Sequence, residues 1–168
     1  MKGQTRSAAF VGFLQGLEGD RAAMATLRRS LGSTVGDVPF EVFRYVAPFT
    51  KNLSEREEAA FLLVAALFSL HPQTTDKGSF GRTMAAIAGD ADGRERMERR
   101  FLSLLDEKEE DLGYHLRQIT TLAKGSGVPV NYAGLIEDLL HWESQNRAVQ
   151  RQWARDFYGE GYAVEEAP

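Results

Sequence analysis

The chain has 168 residues, 43% of them hydrophobic and 26% charged, and contains no cysteine. A chain of this size buries roughly 70% of the surface its unfolded form exposes, so the composition predicts a folded protein with a true core and excludes a disulfide framework, a thiolate metal site and a cysteine nucleophile. The net charge of −4 is uneven: Asp156, Glu160, Glu165 and Glu166 lie beyond the last basic residue, so residues 1–155 hold 20 acids against 20 bases and sum to zero.

A second acidic cluster, five acids between Asp106 and Asp111 around Lys108, leaves 21–29 and 144–155 locally basic. Fifteen of the 20 bases are arginine, a usage that suits bidentate phosphate contacts and equally follows from a GC-rich genome. Met1 to Gln15 lacks an uninterrupted apolar segment of signal-peptide type, and the longest apolar run, Ala59 to Phe68, is half a membrane span. The expected location is the cytoplasm.

Helical periodicity dominates, and no alternating stretch persists long enough to argue for a sheet. Phe10, Phe13, Leu14 and Leu17 form the stripe of a first helix that stops near Gly19. Asp20 is placed to cap a second, about 21–31, with Met24, Leu27 and Leu31 inward, followed by a Gly/Ser/Thr loop from Gly32 to Asp37. Pro39 opens a short helix carrying Val42, Phe43 and Val46 that Pro48 ends. Ser54 and Glu57 form a capping box ahead of the central helix, in which Phe61 to Leu70 is apolar nearly all round. After a polar loop from His71-Pro72 to Gly78, Ser79 caps the next helix. Further helices are expected over about 94–105 and 109–124, from Asn131 through Trp142, and from about Ser144 to Tyr158.

These elements predict an all-α fold of about eight helices in two small bundles around a central apolar helix. The domain spans 1–158, as one unit or as two lobes of about 1–106 and 107–158, with an acidic tail over 159–168.

On the last helix, Val149, Trp153 and Phe157 recur at i, i+4, i+8, and Arg147, Arg151 and Arg155 do the same two residues out of phase. Two residues are about 200° of helix, so three guanidinium groups about 6 Å apart are expected opposite the packed face. That ridge suits phosphates; it also fits a solvated face whose arginines favour the helix C-terminus. Arg28 and Arg29 fall in the last turn of the second helix, where cations are expected in any case. Arg117, beside Leu116, suits a side chain reaching outward from a core edge. Only Tyr114 and Tyr158 are expected as exposed aromatic platforms.

Catalytic motifs are missing. There is no G-x-S-x-G, G-x-x-x-x-G-K-[ST], H-E-x-x-H or G-x-G-x-x-G, and none of His71, His115 and His141 is spaced to pair locally with a nucleophile. Asp138 and His141 share a helix face as in di-iron bundles, with Glu137 a further option, but no second Asp/Glu-x-x-His supplies the other half of such a site. No metal, cofactor or enzymatic activity is expected.

The ordered set of segments says more than any one of them. Leu27-Arg28-Arg29-Ser30-Leu31-Gly32, Tyr45-Val46-Ala47-Pro48-Phe49, Gly78-Ser79-Phe80-Gly81-Arg82 and Arg100-Phe101 to Leu105 are followed by His115-Leu116-Arg117-Gln118. Asn131-Tyr132 through Leu139-Leu140-His141-Trp142 and then Trp153-Ala154-Arg155-Asp156-Phe157-Tyr158 close the series. Over about 5–158 this order resembles the CasB family, the small subunit of the type I-E CRISPR surveillance complex, Cascade.

The resemblance implies a two-lobed, all-helical, non-enzymatic protein present as two copies beside the other Cascade subunits. It implies sequence-independent binding of guide RNA and target DNA, double- and single-stranded, which stabilises the R-loop. Carried over by position, Arg29, Arg82, Arg117, Arg147 and Arg151 are the implied nucleic-acid contacts, with Arg28, Lys51 and Lys77 as looser matches. The acidic stretch from Asp106 to Asp111 departs from the family pattern.

Overall fold

The structure, a computed structural model, describes residues 4–31 and 37–161. Nine α-helical segments are found among them. These are α1 (Arg6–Leu17), α2 (Arg21–Arg28), a single turn α3 (Phe43–Val46), α4 (Glu55–Leu70), α5 (Phe80–Ala88), α6 (Ala91–Leu105), α7 (Leu112–Ser126), α8 (Tyr132–Leu140) and α9 (Ala148–Gly161). The described residues hold no strand beyond one isolated bridge between Thr74 and Val130, so the expected all-α class holds. The loop expected from Gly32 falls mostly on 32–36 and the acidic tail mostly on 162–168, both outside the described residues.

Short polar side chains set where the helices begin. Asp20 accepts from the Ala23 amide at 3.0 Å, and Ser54 and Glu57 make both bonds of the expected capping box. Ser79 and Asn131 accept from Gly81 and Gly134. Each bond satisfies an amide that the first turn would leave unpaired. Two boundaries move for the same reason. The helix expected from about 94 begins at Ala91 because Asp90 caps it through Gly93. The one expected from 109 begins at Leu112, after a 3-10 turn over Glu109–Asp111. It stops at Gly127, whose φ of +68° is left-handed and open to glycine without strain.

The central helix is α4. Phe61, Leu62, Val64, Ala65, Ala66, Leu67 and Phe68 are all buried, as required when neighbours surround a helix. Around it, α2 and α8 pack on α4 and α1 packs on α8, while α6, α7 and α9 gather on α5; α7 also touches α4. Helices from both sides of residue 106 therefore share each packing group, and one continuous buried cluster runs from Phe10 to Phe157. At Gly81 a Cβ would stand 2.1 Å from the Trp153 carbonyl oxygen. This glycine lets α5 and α9 cross nearly backbone to backbone.

The last helix differs from its expected form. It does not run unbroken from Ser144. A 3-10 turn over Gln145–Arg147 comes first, with Asn146 (φ +62°) and Arg147 (φ +52°) left-handed, and α9 starts only at Ala148.

Candidate nucleic-acid interface

On α9, Val149, Trp153 and Phe157 are buried and Arg151 and Arg155 exposed, as the out-of-phase stripes require. Arg147 drops out of the ridge because its left-handed turn redirects it. Its guanidinium donates to the Leu105 carbonyl at the end of α6 and lies 3.8 Å from the Asp106 carboxylate. Cations are favoured at such a helix terminus, where carbonyls lack intrahelical partners. Arg151 and Arg155 thus keep the expected spacing on α9, while Arg147, also exposed, leans on the end of α6.

Side-chain contacts set how α9 meets α6. Arg147 meets the end of α6, while farther along α9 Phe157 stacks on Phe101 at 4.3 Å and the Tyr158 hydroxyl donates to Glu98 at 2.9 Å. The two helices therefore run antiparallel at this contact, which Glu98 and Phe101 make from α6; Arg96, Arg99 and Arg100 are exposed on other sides of α6. These α6 arginines were not singled out from the sequence. Only their setting in a 3.6-residue period, outward from Met97, Phe101 and Leu104, would have shown them. Tyr158 is half-buried by the same contacts, which leaves Tyr114, 66% exposed, as the open aromatic platform.

The other sequence-identified residues are spread around the molecule. Arg28 donates to the Ser69 carbonyl at 2.9 Å, and Arg29 to the Thr26 hydroxyl at 3.1 Å; both stay exposed at the end of α2. Lys51, exposed three residues before the Ser54 cap, lies at the opposite end of α4 from Arg28, a separation of about 24 Å for a 16-residue helix. Lys77 and Arg82, also exposed, flank the point where the Ser79 amide donates to Asp156 on α9 at 2.9 Å. The Arg82 stem lies over Gly78, whose φ is +74°.

Arg117 opens onto a groove of about 980 Å³ between α4, α7 and the end of α2, with Leu62 and Leu63 among its lining. The groove is chemically mixed. Lys108 and Arg56 share its rim with Glu109, Glu110, Asp111 and Glu143, and Arg56 is held by Glu109 at 2.6 Å. A second cleft, of about 300 Å³ between α6 and α7, is lined by Arg99, Arg100, Ser103, Leu104, His115, Gln118 and Ile119.

The groups considered for catalysis are engaged structurally. His71 is buried with Nε2 2.7 Å from the Val128 carbonyl; His115 Nε2 lies 3.1 Å from Glu107; His141 Nδ1 lies 2.8 Å from the Glu137 carbonyl. Asp138 accepts from the Trp153 indole N–H at 2.7 Å. Burial pushes the Asp138 carboxyl up to about 6, with Asp156 and Glu137 adding to the rise against the indole bond and His141. Among the described residues no group of three or more His, Cys, Asp or Glu is placed to hold a metal ion, and no helix is long and apolar enough to cross a membrane.

The chain resembles known proteins along nearly its whole length. The family model described as CRISPR-associated protein Cse2 matches residues 23–158. A Cse2 protein of Thermus thermophilus is 38% identical over 163 residues, covering 94% of this chain and 92% of the relative. The crystal structure of CasB from Thermus thermophilus superimposes with a TM-score of 0.78 at 33% identity, over 91% of this chain and 97% of the other. A chain of a CRISPR RNA-guided surveillance complex matches with a TM-score of 0.78 at 25% identity, over 92% of each.

Proposed function

The chain belongs to the Cse2 family of CRISPR-associated proteins, and from that premise we propose that it is the non-catalytic small subunit of a CRISPR RNA-guided surveillance complex. In this reading it contacts nucleic acid through arginines without reading sequence. It stabilises the guide RNA–target DNA heteroduplex and the displaced strand, beside the other subunits and a second copy of itself.

The observation that carries the reading is the match over nearly the whole chain to a subunit of an RNA-guided surveillance complex. The geometry supports it. Arg151 and Arg155 on α9 and Arg96, Arg99 and Arg100 on α6 are all exposed, and exposed guanidinium groups on rigid helices displace condensed counterions from a phosphate backbone. Near-zero charge over residues 1–155 restricts such binding to patches and keeps it weak for the free chain.

The test is a titration of fluorescently labelled single- and double-stranded DNA at several salt concentrations, comparing wild type with Arg151→Ala/Arg155→Ala. Weak, sequence-independent, salt-steep binding is expected. For duplex the slope of log K against log salt should flatten by about 1.8 in the variant, at about 0.9 per lost phosphate contact. An unchanged slope would remove the α9 face from the interface.

A second reading, a helical module that docks proteins with no direct nucleic-acid contact, is favoured by Phe40, 88% exposed, and by the commitment of Arg147 to α6. It predicts no binding to either probe at low salt.

A further inference from the structure

The strongest unassigned feature is the turn that precedes α9. Asn146 (φ +62°) and Arg147 (φ +52°) are consecutive left-handed residues, and neither is glycine. Asparagine tolerates that backbone; arginine, whose Cβ crowds the following carbonyl, adopts it only at a cost. In other respects the turn is prepared to be helix. Ser144 already has the extended backbone of an N-cap residue (φ −66°, ψ 158°), while its side chain makes no capping bond. The Arg147 amide already donates to the Ser144 carbonyl at 3.3 Å. From Glu143 to Ala148 every residue is exposed except half-buried Ser144, so the stretch between buried Trp142 and buried Val149 carries no core side chain.

What holds the strained form is the Arg147 side chain. Its guanidinium donates to the Leu105 carbonyl and faces the Asp106 carboxylate at 3.8 Å, both at the end of α6. That ion pair lies in water, with side chains 57% and 81% exposed, and such pairs contribute little. A phosphate, by contrast, takes a guanidinium through two charge-assisted hydrogen bonds. With residues 145–147 in the right-handed α form, α9 would begin at the Ser144 cap, about one turn earlier. Arg147 would then stand four residues before Arg151 and eight before Arg155 on one unbroken helix, in steps of about 6 Å along one face.

We infer that Gln145–Arg147 is a two-state latch, closed on α6 in the free chain and rewound into α9 when a nucleic-acid phosphate captures Arg147, which completes a row of three arginines. The inference rests on the nucleic-acid reading above and adds to it a conformational step. The ligand drives that step because the rewound state offers it one guanidinium more than the latched state, and a difference in affinity between two states is what shifts their balance.

The experiment titrates the full chain with a labelled mixed-sequence DNA duplex over a salt series, with thermal unfolding as the control for folding. Arg147→Ala should flatten the slope of log K against log salt by about 0.9, one phosphate contact, although in the free chain Arg147 is bonded to α6. Asn146→Ala, which disfavours the left-handed turn, should bind about fivefold tighter than wild type, and Asn146→Gly, which accepts that turn, no tighter. In the wild type, saturating duplex should move the Asn146 and Arg147 Cα resonances toward helical values. Unmoved resonances, or an unchanged slope in Arg147→Ala beside a flattened one in Arg151→Ala/Arg155→Ala, would overturn the latch and leave the broader reading standing. Equal affinities of the two Asn146 variants would overturn it as well, since the turn would then not govern binding. No binding by the wild type at the lowest salt would overturn the nucleic-acid reading together with this inference.

Discussion

Replacing Asp138 with asparagine should stabilise the protein above pH 6 and leave it nearly unchanged below pH 4. Asp138 is partly buried on α8, where it receives the Trp153 indole N–H from α9 at 2.7 Å, and burial raises its carboxyl from 3.8 to about 6. Between those values the folded state holds a proton that the unfolded state has released, so stability falls as pH rises through the window. The favourable contribution is complete below the unfolded value and gone above the folded one. A rise from 3.8 to about 6 corresponds to about 3 kcal/mol at neutral pH. Asparagine keeps the shape and a carbonyl acceptor for the indole but carries no charge to desolvate, so Asp138→Asn should recover up to that amount. For a protein of this size the gain is a rise of roughly 6–12 °C in Tm at pH 7.5. Paired thermal melts of wild type and variant at pH 4, 5, 6 and 7.5 would show the gap opening with pH. A gap that stays flat, or a variant less stable at pH 7.5, would mean that the indole hydrogen bond to the anion outweighs its burial, and the reasoning would fail.

Gly81→Ala should destabilise by about 1–3 kcal/mol or more, because the added methyl meets backbone at Trp153, which cannot swing aside like a side chain; a variant within 0.5 kcal/mol of wild type in urea unfolding would show that the α5–α9 crossing is looser than described. Arg147→Ala should lose about 1 kcal/mol through the freed carbonyl at the end of α6, whereas Arg151→Ala should stay within about 0.5 kcal/mol. Equal melting temperatures for these two variants would show that the Arg147 contact with α6 contributes nothing to stability.

Much of the fold is legible in the residues themselves, because helix starts and buried faces are local properties. The Asp20, Ser54, Ser79 and Asn131 caps and the nearly all-round burial of α4 follow from side-chain type and period alone. The misread segment is local as well. Gln145–Arg147 carries no glycine or proline to announce a break, and Asn146, a residue type that tolerates left-handed backbone, is its single hint.

The candidate interface divides along the same line. Arginine usage, the opposed stripes of α9 and the family likeness can all be read along the chain, since each depends on order or spacing. Which arginines share a surface depends on which helices are neighbours. The turn at Asn146 sends Arg147 back to α6, the stacking of Phe157 on Phe101 sets α9 beside α6, and the seam between α6 and α7 forms a cleft from residues 11 or more positions apart on the two helices. Those juxtapositions arise from long-range packing, as does the close crossing of α5 and α9 at Gly81, which no local period encodes.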